Sequence, residues 1–356
     1  MTLTAITSID DIITLARNGF TNWSDYGDVQ THSKGDLRIF NYTTIAKGYN
    51  SWNFFEKVSR GLIINIQTGE IVARPFDKFF RWGEGGVTTD APIQVATEKL
   101  DGSLGILYRE ADGYHIATRG SFDNLSPQAK WATAYLQANF DLSELPTELT
   151  LLFEIIYPDY SVVIDYGERE DLVLLAVRNR FTGDYLPFSA VEGLAEQFGF
   201  TLPTIYRFES TDALLESLYT LHPAHEGYVV DFADGQRFKF KGEGFKKLRR
   251  AKEDLTYERV LESVATGGAE ELLKIIHEDR MDEVRGWVTA IQAQAEALEA
   301  EAQQAFADAP KDTRRDFAIW AQKDHKHLLP VLIAMLDGEP YRHRLFRVIA
   351  NRKPQS

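Results

Sequence analysis

The sequence has 356 residues, of which 44% are hydrophobic and 12% aromatic, so the chain can bury a core and is not largely disordered. This length exceeds what one compact core usually holds, which predicts two domains. The absence of cysteine excludes disulfide scaffolds, thiolate zinc sites, iron–sulfur ligation and cysteine nucleophiles. The formal charge of −14 argues, taken alone, against a nucleic-acid partner, because such binding relies on neutralising phosphates.

The start of the chain does not resemble a targeting segment. Residues 1–20 lack a basic start and carry acidic residues inside their apolar stretch, so no signal peptide is expected. No run approaches the ~18 apolar residues that a membrane span requires. We therefore expect a cytoplasmic protein that has no membrane partner.

From about residue 55 to 250 the sequence predicts an antiparallel sheet with a few helices. Three pairs of β-type runs flank short turns, which is the pattern of a hairpin: 60–66 with 70–76, 104–110 with 114–120, and 226–232 with 236–242. Helices are predicted at 124–140, after a Ser-Pro start, and at 189–198, before Gly199. This part of the chain is predicted to be α+β.

The last hundred residues are predicted to be helical. Apolar residues from Val284 to Phe306 recur at spacings of three and four, which indicates one amphipathic helix that ends before Pro310. Further helical segments follow this proline. We therefore expect an α+β domain at 1–250, including the N-terminal region, and an all-α domain at 251–356.

The third hairpin has a pattern of charged and apolar residues that depends on its register. A two-residue loop at Asp234 and Gly235 would pair Phe232 with Arg237 and Val230 with Lys239. One face would then carry Glu226, Arg237, Lys239 and Lys241, and the other would carry Val229, Phe238 and Phe240. The charged face would suit a polyphosphate and a metal.

Basic and acidic residues are segregated at the predicted domain boundary. Residues 237–252 carry eight basic residues against one acid, whereas residues 253–301 carry thirteen acids against four bases. A basic run of this kind is often only an exposed face. The alternative is a contact surface for nucleic acid.

Residues 98–105 read EKLDGSLG and place an amine beside a carboxylate. In an extended segment Lys99 and Asp101 lie on the same face, and Gly102 then permits a sharp turn. Taken alone, this pattern also fits an ordinary surface hairpin, because Asp-Gly is a common turn signal.

Several segments of the chain follow one another in a recognisable order. EKLDGSLG at 98–105 is followed by segments at 151–158, 172–178, 226–231 and 238–242, and SRGLIIN at 59–65, ARPFDKFFRWGE at 73–84 and ATRGSF at 117–122 accompany them. The first five segments resemble, in the same order, the nucleotidyl-lysine motif and the later motifs of the covalent nucleotidyltransferases, and the other three favour the RNA ligase 1 family of phage-type tRNA-repair ligases over the wider superfamily. The resemblance covers roughly residues 55–250 and implies a nucleotidyltransferase fold with ATP-grasp-like antiparallel sheets, so residues 1–250 would be an adenylyltransferase domain.

The resemblance implies a role for each matching residue. Lys99 would attack the α-phosphate of ATP, within a motif that includes Asp101 and Gly102. The remaining nucleotide-site residues would be Arg60 and Lys78 at the triphosphate end with Phe80 beside them, Glu154 near the ribose and metal, Glu226 and Gly227 of the EGYV segment, and the phosphate-binding pair Lys239 and Lys241. Glu154 and Glu226 would hold Mg²⁺ or Mn²⁺.

A lysine nucleophile must lose its proton. For an ordinary lysine this costs about 4.6 kcal/mol at neutral pH. We expect Lys239, Lys241 and a divalent metal to disfavour a third positive charge at Lys99 and thus to lower its pKa.

The sequence departs from the family at the segment that would cover adenine. Many relatives have an aromatic residue there, whereas 172–178 reads LVLLAVR. We therefore expect Leu172 to contact the base through apolar packing.

The predicted function is that of an ATP-dependent RNA ligase that joins 3′-hydroxyl and 5′-phosphate ends through lysyl-AMP and AMP-RNA intermediates. Its RNA substrate could be a tRNA, and an RNA end-healing enzyme is a possible partner. The basic residues Lys246, Lys247, Arg249 and Arg250 are predicted to guide the RNA backbone.

Two alternatives remain open at this stage. One is a nonenzymatic RNA-binding module with the same fold. The other is a DNA ligase or a guanylyltransferase, which is disfavoured because a helical segment follows where those enzymes have an oligonucleotide-binding barrel.

Overall fold

The structure is a computed structural model that describes residues 5–43, 45–46, 52–159, 162–252, 256–274, 276 and 278–351, with the backbone alone for 250–252, 274, 278–280 and 351. The chain divides into two compact units, Met1–Lys252 and Glu253–Ser356. The division falls where the charge pattern changes along the sequence. None of the described helices is long and apolar enough to cross a bilayer.

The first unit contains three sheets. Its strands β1 to β13 are, in chain order, Val29–Lys34, Leu37–Tyr42, Arg60–Asn65, Ile71–Ala73, Phe80–Arg81, Ile93–Glu98, Ser103–Glu110, Gly113–Ala117, Leu149–Ile156, Asp171–Asn179, Ile205–Tyr206, Gly227–Phe232 and Arg237–Lys241. Sheet 1 has the order β1-β2-β3-β4, sheet 2 the order β10-β9-β7-β8, and sheet 3 the order β11-β6-β12-β13-β5. All neighbouring strands are antiparallel except β13 and β5, which are parallel.

Helices pack against all three of these sheets. The helices of the first unit, α1 to α6, are Ile9–Arg17, Phe54–Val58, Pro127–Asn139, Phe188–Phe198, Thr211–Thr220 and Glu243–Lys252. Sheets 1 and 2 share a core that includes Ile63 and Ile106, while α3 and α4 pack on the other face of sheet 2. Helix α5 covers the apolar face of sheet 3. The α+β architecture is thus the one predicted.

The three hairpins and the two helices predicted in the first unit are present. Strands β3 and β4, β7 and β8, and β12 and β13 form the three antiparallel hairpins. Helix α3 begins after Ser126, whose hydroxyl accepts a hydrogen bond from the Ala129 amide, and α4 ends at Gly199 in the left-handed conformation. These features follow from short-range rules, namely an N-cap hydroxyl and a C-terminal glycine.

The predicted register of the third hairpin is wrong by one residue. Val229 pairs with Lys239 and Asp231 with Arg237, so odd-numbered residues of both strands share the polar face. The cause is the loop, which has three residues because Phe232 hydrogen-bonds to Gln236, and which places Gly235 at φ 81°. The even-numbered residues, Val230 and Phe232 among them, pack with Phe238 and Phe240 in the core.

The second unit is a helical bundle. Its helices α7 to α12 are Tyr257–Ala265, Ala269–Lys274, Glu278–Asp308, Arg314–Asp324, Leu329–Asp337 and Arg342–Asn351. The long helix α9 contains the predicted amphipathic segment and ends before Pro310. Its buried residues Val284, Ile291 and Leu298 belong to one core with residues of α7, α10, α11 and α12.

We predict that Phe317→Ala destabilises the helical unit by about 3–5 kcal/mol, because the Phe317 ring is fully buried against Phe306 and Trp320. Ile319→Ala on the same helix is the matched control, since Ile319 is 57% exposed, and it should change stability by less than about 0.5 kcal/mol. Urea unfolding followed by circular dichroism measures both. Equal effects of the two substitutions would contradict the packing described here.

Candidate active site

A buried carboxylate bridges two lysines at the centre of the candidate site. Glu226 Oε2 lies 2.6 Å from Lys99 Nζ, and Glu226 Oε1 lies 2.7 Å from Lys241 Nζ. The Glu226 side chain is only 3% exposed and that of Lys99 is 19% exposed. The cluster therefore holds two ammonium groups and their shared counterion largely away from water.

Three strands of sheet 3 bring these residues together. Lys99 directly follows β6, Glu226 directly precedes β12, and Lys241 ends β13, while β12 lies between the other two strands. The Lys99 amide donates a hydrogen bond to the Gly227 carbonyl, which fixes the lysine motif to the EGYV segment. Gly227 has φ 144°, and a Cβ there would lie 1.9 Å from the Phe240 carbonyl oxygen. Only glycine permits this close approach.

Glu154 joins the site from sheet 2. Its Oε1 accepts a hydrogen bond of 2.7 Å from the Gly102 amide, and Glu154 lies on β9 opposite Val173 and Leu104. A Cβ at Gly102 would lie 2.3 Å from the Ile155 carbonyl oxygen, so the close approach of the lysine motif to β9 requires glycine. In the described part of the chain, the other oxygen of Glu154 has no hydrogen bond.

Asp101 has a structural position in the motif. Its Oδ2 accepts hydrogen bonds from the Val163 and Ile164 amides at 2.7 and 2.8 Å, and its own amide donates to the Tyr166 hydroxyl. The Asp101 side chain thus ties the lysine motif to the loop before β10. Asp101 is buried, so its charge also contributes to the field at Lys99.

The electrostatics of Lys99 differ from the expectation. Burial alone would lower the pKa of Lys99, but the charges of Glu226 and Glu154 outweigh it and raise that pKa above its ordinary value. Burial and the charge of Lys99 lower the pKa of Lys241, although Glu226 opposes this. The sequence prediction counted the cations and gave too little weight to two acids that lie close to the amine.

The two glutamates of the site, Glu226 and Glu154, have pKa values that are shifted in opposite directions. Burial would raise the pKa of Glu226, but Lys99 and Lys241 together hold it below its ordinary value. Burial raises the pKa of Glu154 to about 7, against the opposing effects of Lys99 and the Gly102 amide. Glu226 is therefore a stable anion, whereas Glu154 is an acid whose burial is only partly compensated.

Arg60 and Lys239 lie against an aromatic surface. The Lys239 ammonium lies 4.2 Å from the centre of the Phe79 ring, and the Arg60 guanidinium lies 5.6 Å from it. Among the described residues, Arg60 Nε and Nη1 are buried and have no hydrogen-bond partner. These donors point to an anion as the missing partner, because buried N–H groups are rarely left unsatisfied.

Lys78 lies in a second cation–aromatic contact. Its ammonium is 4.0 Å from the centre of the Phe80 ring and 4.9 Å from that of Trp52, and it also lies 3.8 Å from Glu84. Phe80 therefore orients Lys78 in this structure. Trp52 and Glu84 had no assigned role in the sequence prediction.

The assignment of Leu172 to the nucleotide site is wrong. Leu172 and Leu174 are fully buried in the core beneath α3 and α4, because their side chains point to that face of β10. Val173 lies on the opposite face, which also carries Glu154, and contacts Leu100 and Tyr166. The alternation of side chains along β10 could have identified Val173, but the choice of face needed the surrounding sheets.

The basic residues near 246–250 lie on α6. Phe245 is buried against Val163 and Ile164, which anchors this helix beside the Asp101 loop. Lys247 is exposed, Lys246 pairs with Glu243 at 2.6 Å, and the charge of Arg249 helps to lower the pKa of Lys241. The Arg250 side chain lies outside the described residues.

A separate acidic cluster contains Glu110, His115 and Asp123, whose ligand atoms all lie within 4.8 Å of one another. The ammonium of Lys34 pairs with both carboxylates, at 2.7 Å from Asp123. This lysine already supplies the positive charge that a metal would bring, so the cluster stabilises the turn regions of β1–β2 and β7–β8.

The site and the sheets that hold it define a nucleotidyltransferase. The profile of the RNA ligase family matches residues 58–247, and the chain belongs to the RNA ligase 1 family of the nucleotidyltransferase superfamily.

Individual relatives agree with the family match. A protein of Thermovibrio ammonificans that is provisionally named an RNA ligase is 33% identical over 191 residues, which cover 50% of this chain and 48% of the relative. A protein of Autographa californica nuclear polyhedrosis virus, provisionally named a bifunctional polynucleotide kinase/RNA ligase, is 30% identical over 248 residues, or 61% of this chain and 34% of the relative. The match thus spans about half the length of the first relative and a third of the second.

A solved archaeal ATP-dependent RNA ligase aligns over 90% of this chain and 89% of its own chain, with 15% identity and a TM-score of 0.47.

We predict that Gly227→Ala lowers the free energy of unfolding by at least about 2 kcal/mol, because alanine would be strained at φ 144° and would overlap β13. Gly193→Ala in α4 is the control, since no atom lies within 4 Å of its added Cβ. That change should stabilise the protein by about 0.5–1 kcal/mol. A similar loss from both substitutions would refute the close approach at Gly227.

Proposed function

We propose that the protein is an ATP-dependent RNA ligase that first transfers AMP to Lys99. One observation carries this proposal: in a chain of the RNA ligase 1 family, the Lys99 amine is buried and lies 2.6 Å from Glu226, with Lys241 on the other oxygen of the same carboxylate. A buried lysine in a cluster of perturbed titratable groups is a typical site for nucleophilic catalysis.

In the first step, the neutral Lys99 amine attacks the α-phosphorus of ATP. A nitrogen–phosphorus bond forms, the bond from the α-phosphorus to the bridging oxygen breaks, and pyrophosphate leaves with the electron pair of that bond. Lys99 must first give up a proton to water, because Glu226, whose pKa is held below its ordinary value, is a poor base; Glu226 Oε2 accepts a hydrogen bond from Lys99 and thereby orients the amine. Lys241 then stabilises the negative charge that develops near the phosphate.

The donor set fits a hard divalent cation such as Mg²⁺ or Mn²⁺, because carboxylate oxygens are the ligands such ions prefer. Glu154 suits this role because one of its oxygens has no hydrogen bond in the described part of the chain and because its pKa is raised to about 7. Both oxygens of Glu226 already contact lysines, so Glu226 would be the secondary ligand. When bound, the cation supplies positive charge that offsets the two carboxylates and thereby favours the neutral amine of Lys99.

The triphosphate end of ATP would contact the cations on the aromatic surface. Arg60 offers two buried N–H groups without partners in the described structure, and Lys239 and Lys78 bring two further charges. A guanidinium suits this position because it can donate two parallel hydrogen bonds to a phosphate.

Two further steps would complete ligation. An oxygen of an RNA 5′-phosphate attacks the α-phosphorus of lysyl-AMP, the amine of Lys99 leaves, and AMP-RNA forms. An RNA 3′-hydroxyl then attacks the 5′-phosphorus of that RNA, loses its proton and expels AMP. We extend the proposal to repair of broken RNA, with tRNA as a candidate substrate.

An end-healing enzyme would be a suitable partner for such a ligase, since broken RNA often lacks the required ends. The name of the viral relative joins a polynucleotide kinase to an RNA ligase, which supports this extension. Sealing assays on nicked tRNA and on an unstructured oligonucleotide with the same ends would test the substrate preference.

We predict that Lys99→Ala and Lys99→Arg each reduce covalent labelling by α-labelled ATP and Mg²⁺ more than about 1,000-fold, because neither side chain offers a neutral amine. Lys130→Ala, at an exposed lysine of α3, should label like the parent. Gel autoradiography after denaturation measures the label. A parent protein that takes no label would favour the nonenzymatic RNA-binding alternative, and a labelled Lys99→Ala would refute the assignment of the nucleophile.

We predict that neutralising Lys246, Lys247, Arg249 and Arg250 to glutamine weakens RNA sealing and makes it less dependent on salt. Each lost phosphate contact should reduce the slope of log affinity against log salt by about 1. Self-adenylylation should change little in Lys247→Gln, because Lys247 is exposed and this step does not require RNA. Lys247→Gln alone is the most direct variant, since Lys247 is exposed, and Lys130→Gln is its control. Equal losses in labelling and in sealing would assign these residues to the nucleotide site instead.

A further inference from the structure

The cations of this site are held in two different ways. Lys99 and Lys241 are paired with the carboxylate of Glu226. Arg60 and Lys239 lie over the ring of Phe79. The difference matters because a carboxylate neutralises a cation, whereas an aromatic ring attracts it and leaves its net charge unchanged.

Three cationic side chains lie within 6 Å of the centre of the Phe79 ring. The distances from the ring centre are 4.2 Å to Lys239 Nζ, 5.6 Å to Arg60 Cζ and 5.9 Å to Arg237 Cζ. Three like charges around one side chain repel one another, and the negative face of the ring reduces the cost of holding them together. Arg237 also pairs with Asp231, so its charge is partly compensated.

The sheet fixes the position of Phe79. The next residue, Phe80, begins β5, which pairs in parallel with β13 and places Phe80 opposite Phe238 and Arg81 opposite Lys239. The Trp82 amide then donates a hydrogen bond to the Lys239 carbonyl. The Phe79 ring also packs edge to face on the buried Phe76 ring, with 5.6 Å between centres. The ring is therefore attached to the strand that carries Lys239.

We infer that Phe79 is a positioning residue for the pyrophosphate end of ATP. It holds Arg60 and Lys239 in place, and it leaves the Arg60 donors available to the β- and γ-phosphates and to the departing pyrophosphate. A carboxylate in its place would compete with these anions for the same donors. Arg60 Nε and Nη1 are buried and have no hydrogen-bond partner in the part of the chain that the structure describes, which supports this arrangement. The inference rests on the proposed function.

The test compares ring loss with ring retention at position 79. Phe79→Leu removes the aromatic face at similar volume, and Phe79→Tyr keeps it. For Phe79→Leu we expect the KM for ATP in self-adenylylation to rise about tenfold and the concentration of pyrophosphate that reverses the label to rise by a similar factor. Phe79→Tyr should stay within about twofold of the parent, because both rings attract cations.

The sealing of pre-adenylylated RNA, which does not involve pyrophosphate, is the step with which self-adenylylation is compared. Sealing of chemically pre-adenylylated RNA requires neither ATP nor pyrophosphate, so Phe79→Leu should leave its rate within about twofold of the parent. Phe198→Leu is the matched control, because Phe198 is also half-buried in the first unit and no cation contact to its ring is found among the described residues. That control should leave all three readouts unchanged.

The outcomes separate the inference from the proposed function. A parent protein that takes no label from ATP would refute the proposed function itself. An active parent with an unchanged KM for ATP and unchanged pyrophosphate reversal in Phe79→Leu would refute the role of Phe79. Equal losses in Phe79→Leu and Phe79→Tyr, or an equal loss in sealing of pre-adenylylated RNA, would also refute it. If Phe79→Leu does not fold, Phe79→Met, which fills the space without a ring, gives the same comparison.

Discussion

The candidate site depends on one buried carboxylate, Glu226, which joins residues that are far apart in the sequence. Its two oxygens hold Lys99, which follows β6, and Lys241, which ends β13. A buried ion pair is expensive to desolvate, and leaving either lysine unpaired there would be strongly destabilising. This desolvation cost is offset because each ammonium has a carboxylate oxygen of Glu226 within hydrogen-bond distance. The glycine at position 227 allows β12 to approach β13 closely enough for this pairing.

Under the proposed function, this arrangement explains how one small region could both hold a nucleophilic lysine and bind a highly charged substrate. Near Lys99, acids outweigh the cations and raise its pKa, so the amine is held as an ammonium when no nucleotide is bound. Around Phe79, by contrast, Lys239 and Arg60 lie over an aromatic ring, which attracts a cation without neutralising it. An anionic substrate would therefore be attracted first to the ring-supported cations. Under the proposed function, Glu226 would serve as the counterion of Lys99, while the cations around Phe79 would receive the phosphates.

Sequence reasoning was successful where the governing interactions are local. Hairpins and helix ends follow from turn residues and caps within a few positions, as at Ser126 and Gly199. It failed where the pairing of two strands depends on one residue more or less in their loop, and where the site depends on which face of a strand is buried in the core. The three-residue loop that contains Asp234 shifts the pairing of β12 with β13 by one residue. The Leu172 side chain lies on the face of sheet 2 that packs against α3 and α4. The role of Phe79 has no local signal, because it arises from pairing of β5 with β13.

The acidic composition of the chain is compatible with an RNA partner because electrostatic contacts act locally. Exposed charges farther apart than about 10 Å are largely screened at ordinary ionic strength. The thirteen acids of 253–301 therefore do not cancel the eight basic residues of 237–252 simply by belonging to the same chain. Helix α6 carries part of that basic run and is anchored by Phe245 to the loop that binds Asp101. The same packing that places the lysine motif thus also holds a basic helix beside it, and the net charge of −14 says little about this region.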